Sequence, residues 1–406
     1  MDYVFSSKTK KVTLITAGVG LLLFLIGALT DNSAYASLVD EHGHNYGFGQ
    51  RLWSNLLING FFFFSISLSM LFFLALQYAS EASWSIVFKR VFEAIISVLP
   101  WMALVVVVVL AAGQLHLHHI YHWMSYKVGS GDHLLDHKAP FFAPAFFWGR
   151  TIFFVGSFIA FAAYFRKKSV EEDQEGGTRI HFKSITMAAI FLVIFGYGSS
   201  VLSWDWLMSI DTHWFSTLFG WYVFAGMWLS GIIFALLLII HLRSKGLLDI
   251  VTKGHMHDMG KWMFALSFLW TYLFFSQFLL IWYANIPEEV TYYIARIQDY
   301  APIWFTMLII NFALPMLALM DADAKKNQVI VVIVGVIIFF FHWVDVFTMV
   351  SPGSMKTEAK IGLIEIGMFL LFLGVFIFMV LKSLASRPLV VKNHPYIEES
   401  KHIHGH

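Results

Sequence analysis

The fold of this chain is decided by stretches such as residues 329–350, which read VIVVIVGVIIFFFHWVDVFTMV. A stretch of this length can cross the hydrocarbon of a bilayer as a helix, which takes about 20 apolar residues. Its apolar residues are continuous, whereas a membrane barrel strand would alternate apolar and polar positions. The stretch also contains an imidazole and a carboxylate, His342 and Asp345. Ionisable groups at membrane depth need a partner, a water-filled cavity or a function.

Ten stretches of this kind lie in a chain of 406 residues that is 58% hydrophobic and 13% charged, with a mean hydropathy of +0.70. Soluble proteins carry about 25% charged residues, so this composition indicates a membrane protein. We place the spans at residues 12–30, 53–77, 87–114, 145–165, 185–206, 214–241, 262–283, 302–320, 329–350 and 361–384. The sequence therefore predicts an all-α, polytopic bundle of about ten transmembrane helices.

The basic residues predict the orientation of this bundle. Most of the 27 lysines and arginines fall on one side of the layout, and by the positive-inside rule that side, with both termini, is cytoplasmic. We expect one transmembrane domain, residues 1–386, and a cytoplasmic tail, residues 387–406, that is extended or loosely ordered. Residues 166–183 are charged and poor in hydrophobic side chains. They predict a cytoplasmic loop between spans four and five.

The chain contains no cysteine. Thiolate-held iron-sulfur clusters, disulfides and covalently attached c-type haem are therefore excluded. A b-type haem needs two facing histidines inside the bundle, and His342 is the only mid-bundle candidate toward the outer side, so haem is disfavoured. The segment after span three is rich in histidine, and His118 with His122 and His133 with His137 have a spacing that suits a metal. No recognised zinc pattern accompanies them, so we predict a partner-binding loop and no metal site.

Polar side chains within the spans concentrate toward the outer side. They are Asn55, Asn59, Arg150, Asp205, Gln277, His342, Asp345 and Glu365. Asn55 and Asn59 are four residues apart and His342 and Asp345 three apart, so each pair shares a helix face. The densest group is Asp205, Asp211 and His213.

A lipid quinol releases two protons when it is oxidised, and carboxylates or imidazoles that are partly removed from water can accept them. The group at Asp205, Asp211 and His213 fits that chemistry. A structural interpretation competes with it. Indoles such as Trp206 and Trp214 are typical of the membrane interface, and Asp211 is placed to cap span six.

A second polar group comprises Gln277, Tyr283 and Glu288. The proline and the acids that begin residues 287–299 predict a short helix on the outer surface. On the cytoplasmic side, Arg90 and Glu93 lie one turn apart and can neutralise each other. Functionally, Glu93 and Arg90 are candidates for an inward-facing proton route.

Two long strings resemble one known family. They are SWDWLMSIDTHWFSTLFG at residues 203–220 and QFLLIWYANIPEE at residues 277–289. Both resemble the second NrfD-like, polysulfide-reductase-type integral membrane subunit of bacterial alternative complex III, a quinol:electron-acceptor oxidoreductase. The ten-span layout agrees over most of the chain.

The resemblance implies a subunit of the bacterial cytoplasmic membrane that has no autonomous catalytic residues. Its neighbours would be a homologous NrfD-like subunit, an iron-sulfur subunit and c-type cytochromes, with no nucleic acid. The chain would hold no covalent or thiolate-bound cofactor, and its ligands would be menaquinol or another quinol and membrane lipids. Quinol would bind near the periplasmic face.

The predicted function is therefore a share in a quinol site or a proton path of a respiratory complex. The candidate residues are Asp205, Asp211, His213, Gln277, Tyr283, Glu288, His342, Asp345, Glu365, Asn55 and Asn59. One alternative is a scaffold subunit without its own quinol site. Another is a proton-coupled transporter, which would have discontinuous helices in matching halves. Pro100 and Pro315 are the span-interior prolines that could produce them.

Overall fold

The structure of the chain is a computed structural model that describes residues 2–35 and 48–402. Within these residues it is all-helical, and ten helices are long and apolar enough to cross a membrane. The predicted all-α bundle and its number of spans are confirmed. A bilayer explains why: no water reaches its hydrocarbon, so each crossing segment must satisfy its own backbone hydrogen bonds.

The helices follow one another with short connections. Their bounds are α1 Ser7–Tyr35, α2 Phe48–Ala79, α3 Lys89–Ile96, α4 Leu99–Gln114, α5 His133–Phe142, α6 Pro144–Glu175, α7 Arg179–Trp206, α8 Leu218–Ser244, α9 Lys253–Ala284, α10 Pro287–Asp299, α11 Ala301–Ala318, α12 Ala322–Lys326, α13 Gln328–Met355, α14 Leu363–Leu384 and α15 Ile397–Lys401. The short helix predicted at residues 287–299 is present as α10.

Helices α2 and α8 form the centre of the bundle, and α4, α7, α13 and α14 pack around α2. Both central helices are hydrophobic on every side, as expected for helices enclosed by protein. Close packing at the centre depends on small residues. Gly231 of α8 lies directly against the hydroxyl-bearing side chain of Ser69 on α2, where an added Cβ would overlap it.

The third predicted span is broken. Helix α3 ends at Ile96 and α4 begins at Leu99. Pro100 stands in the first turn of α4, where its missing N–H is tolerated but its ring prevents a continuous helix from the preceding turn. Helix α11 continues through Pro315. The two prolines therefore do not produce a matched pair of broken helices within the described residues.

The segment at residues 166–183 differs from its prediction. It is polar and lies at one end of the bundle, but most of it is helical, because α6 extends to Glu175 and α7 begins at Arg179. Gly176 and Gly177 make the turn between them with φ of 67° and 73°, values that glycine adopts without strain. The connection is a tight helical hairpin and not a loose loop.

The tail also differs from its prediction, because residues 387–402 pack against the bundle. Leu389, Val391 and Ile397 are buried. The Lys392 amide donates to Asp173 Oδ1 at 2.9 Å. The tail sequence is mostly polar, so its order depends on these contacts with α6 and other helices, which composition does not reveal.

Helix α1 packs mainly on α14 through glycines. An added Cβ on Gly20 would overlap the backbone of Leu371, and one on Gly374 would lie 2.6 Å from the backbone nitrogen of Ala17. The two helices thus touch backbone to backbone, as membrane helices with small interfacial residues do.

We expect Gly20→Ala to weaken the docking of α1 by about 1–3 kcal/mol, because backbone atoms cannot move aside for the new methyl group. Gly18→Ala is the matched control, since a Cβ there meets nothing within 4 Å and alanine favours helix over glycine. Hydrogen exchange of residues 12–30 should rise in the first variant alone. Equal exchange in both variants would contradict the contact.

Candidate functional site

One end of the bundle contains a large cavity whose lining includes many polar side chains. We call this end of the bundle the histidine-loop end; it is formed by residues 115–143, 207–217, 285–300 and 356–362. The cavity has a volume of about 1140 Å³. Among the side chains that line it are Asp211, His213, Trp214, Glu288, Tyr292 and Arg296. The sequence candidates Asp211, His213 and Glu288 therefore share one cavity, as the sequence grouping suggested for the first two.

The cavity floor is built around Arg296 of α10. Its guanidinium donates to Asp211 Oδ2 at 3.1 Å and to the Thr348 carbonyl at 3.0 Å, and it stacks on the Tyr292 ring at 3.3 Å. Tyr292 in turn stacks on Trp214, with ring centroids 4.0 Å apart. Burial raises the pKa of the Tyr292 phenol, so this residue stays protonated. Arg296 and Tyr292 close the cavity toward the bundle interior.

The cavity rim is held by hydrogen bonds between loops. His213 Nε2 lies 2.6 Å from Asp132 Oδ2, and this bond is the largest cause lowering the pKa of the Asp132 carboxyl. Asp132 also accepts from the Leu134 amide at the start of α5. His213 is 62% exposed. It is therefore a solvent-facing base and not a buried one.

A buried polar cluster lies deeper in the bundle, on α8, α9 and α13. Asp345 accepts hydrogen bonds from the Tyr222 hydroxyl and from Trp270 Nε1, the latter at 3.0 Å. His342 Nδ1 lies 3.8 Å from Asp345 Oδ2, and both ring nitrogens of His342 have no hydrogen-bond partner among the described residues. We call Tyr222, Trp270, His342 and Asp345 the Asp345 cluster.

Gly226 provides the space that this cluster occupies. A Cβ at Gly226 would lie 3.3 Å from Trp270 and 3.6 Å from His342 Nδ1. The indole and the imidazole can therefore approach the α8 backbone side by side, with ring centroids 5.2 Å apart. A larger residue at this position would displace one of the two rings.

The Asp345 cluster connects to the cavity floor. Thr348 donates through its hydroxyl to the Asp345 carbonyl at 2.9 Å, and its own carbonyl accepts from Arg296. Phe219 contacts the rings of both Tyr222 and Tyr292. One helical turn thus separates the buried carboxylate from the arginine that forms the cavity floor.

Two other buried carboxylates are paired with arginine. Asp205 is enclosed by protein and binds Arg150 with both oxygens, at 2.9 and 3.0 Å. Glu365 likewise binds Arg51 with both oxygens, at 2.7 and 2.6 Å. Neither carboxylate lines the cavity. Their charges are neutralised inside the bundle, which lowers the cost of burying them.

The amide candidates have separate environments. Asn55 donates to Glu365 at 3.1 Å, and Asn59 accepts from Trp343 Nε1 at 3.0 Å. Gln277 is buried and its Nε2 has no partner among the described residues. Tyr283 is 85% exposed and does not line the cavity. The amides other than Gln277 therefore join helices.

Two structural interpretations from the sequence are wrong. Asp211 does not cap span six, because α8 begins at Leu218, well after Asp211. Trp206 and Trp214 are buried inside the protein, so they are not residues of an interfacial belt. Asp211 and Trp214 contact Arg296 and Tyr292 of α10, and Trp206 packs on Phe64 of α2. Local sequence does not encode these contacts.

At the opposite end, Arg90 forms ion pairs with Glu93 at 2.6 Å and with Asp173. The predicted mutual neutralisation of Arg90 and Glu93 is confirmed. Glu93 also has Arg387 of the tail at 3.6 Å, and its Oε1 has no hydrogen-bond partner among the described residues. The inward-facing proton route through Glu93 and Arg90 stays a prediction.

The histidines after span three form no shared site in the part of the chain that the structure describes. His118 is buried, which lowers its pKa, and its Nε2 lies 2.9 Å from the Val109 carbonyl. Its Nδ1 accepts from the Ile120 amide at 3.3 Å. His118 therefore holds its own loop in place.

Sequence reasoning missed Tyr222, Trp270 and Arg296. Tyr222 and Trp270 lie in continuous apolar helices that contain many aromatic residues, so nothing in the sequence distinguishes these two from the others. The third could have been found, because a lone arginine in a short amphipathic helix next to an acidic segment indicates an ion pair.

Ten apolar helices, with clusters of polar side chains buried among them, define a multi-pass membrane protein. No family model matches the sequence, and no curated protein matches it.

Proposed function

We propose that the chain is an integral membrane subunit of a respiratory quinol:electron-acceptor oxidoreductase, similar to the second NrfD-like subunit of alternative complex III. In this proposal it lies in the bacterial cytoplasmic membrane with both termini in the cytoplasm. The histidine-loop end then faces the periplasm. In this proposal the chain contributes to the complex a proton path from the Asp345 cluster to the cavity.

The observation that carries the proposal is that Asp345 is buried without a permanent cation beside it. Among the described residues no lysine or arginine forms an ion pair with it, and the imidazole Nδ1 of His342 lies 3.8 Å from its Oδ2. Asp205, Asp211 and Glu365 each have an arginine. A buried carboxylate without a permanent cation exists as the neutral acid or beside a protonated imidazole. The two forms differ by the position of one proton, which is what a proton carrier requires.

The cavity supports the same function. Its volume, and the carboxylates, imidazoles and hydroxyls among its lining residues, leave room and hydrogen-bond partners for water and ions. Protons that reach Asp345 would have to pass Tyr292 and Arg296 at the cavity floor, and they would leave through His213 and Glu288, since Asp211 is held by Arg296. The quinol itself would bind either to this chain, where the free amide of Gln277 can donate to a quinone oxygen, or to the homologous neighbour.

A second candidate function is a scaffold without a proton path. The Arg150–Asp205 and Arg51–Glu365 pairs favour it, since both join helices by fully neutralised contacts. On this alternative the Asp345 cluster would only hold α8, α9 and α13 together.

Gentle extraction of the full chain tests the assignment to a complex. We expect it to copurify with a homologous membrane subunit, an iron-sulfur protein and multihaem c-type cytochromes, detected by mass spectrometry and haem absorption. Purification without redox partners would contradict the proposal. Proton-coupled uptake of a solute by lipid vesicles that contain only the purified chain would instead show that it is a transporter.

A further inference from the structure

The end of the bundle opposite the histidine-loop end is called the tail end; its connecting segments are residues 80–88, 176–178, 245–252, 319–327 and 387–402. A second cluster of buried titratable groups lies beside these segments. It joins Glu172 near the end of α6, His181 in the first turn of α7 and His394 in the tail. All three are at most 2% exposed. Glu172 Oε1 lies 3.8 Å from His181 Nδ1, and one nitrogen or oxygen from each residue lies within 4.8 Å of the others.

The facing atoms of this cluster have no partners. Glu172 Oε1, both ring nitrogens of His181 and Nε2 of His394 are buried without a hydrogen bond among the described residues. Buried polar atoms in native proteins are nearly always hydrogen-bonded, and a group that is not usually marks a bound water or ion. One such atom from each of the three side chains lies within 4.8 Å of the others, which indicates a ligand that accepts a lone pair from each of them.

Two imidazoles and a carboxylate are a ligand set that zinc uses. Its bonds of about 2.0–2.2 Å place neighbouring ligand atoms roughly 3.3 Å apart, so small rotations of these side chains would bring them to bonding distance. A cavity of about 10 Å³ beside them, lined by Tyr78, Lys89, His181 and His394, holds about one water. That water would supply a fourth ligand.

The neighbours of the cluster allow this arrangement. Lys89 Nζ donates to Glu172 Oε2 at 2.9 Å and leaves Oε1 free. The Tyr396 amide donates to His394 Nδ1 at 3.2 Å. A cation on Nε2 requires the tautomer with the ring proton on Nδ1, so the Tyr396 amide would have to give up this hydrogen bond. The ammonium of Lys89 favours the ionised carboxylate. It also repels a cation, so the bonds from the two imidazoles and the carboxylate must outweigh that repulsion.

We propose that Glu172, His181 and His394 bind one divalent transition-metal cation of the zinc class, which fastens the tail to the α6–α7 hairpin. The site is independent of the proton path, because it lies at the opposite end of the bundle and shares no residue with it.

The test uses the full chain in detergent, in a background where His402, His404 and His406 are replaced by glutamine, because terminal histidines bind metal on their own. After loading with zinc chloride and dialysis, elemental analysis should find one zinc per chain. Cobalt chloride in place of zinc should give the visible absorption of a four-coordinate site. His181→Gln and His394→Gln should each lower the metal content at least tenfold.

His257→Gln is the matched control, since His257 is another buried histidine of this end whose ring nitrogens lack partners. It should keep the full zinc content. Should His181→Gln fail to fold, the protein with all three ligands intact gives the test. EDTA should speed tryptic cleavage after Lys392 severalfold, and added zinc should reverse the effect. Less than a tenth of a zinc per chain in the background protein, or equal zinc in His394→Gln, overturns the proposal.

Discussion

Asp345→Asn is expected to lower quinol-driven turnover of the assembled complex by about 100-fold or more, since a positioned acid or base contributes roughly 10²- to 10⁴-fold. Asparagine keeps the size of the side chain and can still accept from Trp270. It cannot exchange a proton with His342. The measurement is quinol oxidation per assembled complex, quantified by its haem content.

The matched control is Asp205→Asn, the same change in a buried carboxylate that Arg150 neutralises. This variant should reduce the amount of assembled complex, because it leaves the guanidinium without its anion, while turnover per complex stays close to wild type. Tyr222→Phe removes one hydrogen bond to Asp345 and should give an intermediate loss. Wild-type turnover in an assembled Asp345→Asn complex would contradict the proton path and favour the scaffold function.

Arg51→Met is expected to destabilise the protein by about 3–5 kcal/mol, because it leaves the Glu365 carboxylate buried without its cation. Arg51 of α2 and Glu365 of α14 are each 2% exposed and are joined through both carboxylate oxygens. Asn55 and the Gly362 amide would still donate to Glu365. Neither supplies a positive charge. The apparent unfolding midpoint in detergent measures the loss.

The double variant Arg51→Met, Glu365→Met should recover most of that stability, since a buried ion pair replaced by apolar side chains is often neutral. Lys261→Met is the control for removing a cation from an exposed pair. Lys261 is 55% exposed beside Asp258, and its loss should cost at most about 1 kcal/mol. A loss of this small size for Arg51→Met would show that the pair contributes little.

The sequence predicted the membrane class, the helical fold and ten spans because each depends on local composition. A continuous apolar segment that crosses a bilayer has to be helical, because only a helix satisfies all backbone hydrogen bonds within one segment. Helix α10 was predictable for a similar reason, as Pro287 and the acids after it favour a helix start. The gathering of Asp211, His213 and Glu288 near one end also follows from their positions relative to the spans.

Only the tertiary structure decided which buried charges are neutralised. Asp205 and Asp345 look alike in the sequence, yet one faces Arg150 and the other faces Tyr222, Trp270 and His342. The difference depends on how each helix is rotated and which helices are its neighbours. Helices that are apolar on every side have no hydrophobic face to fix that rotation, so their sequence leaves it open and packing between distant segments sets it.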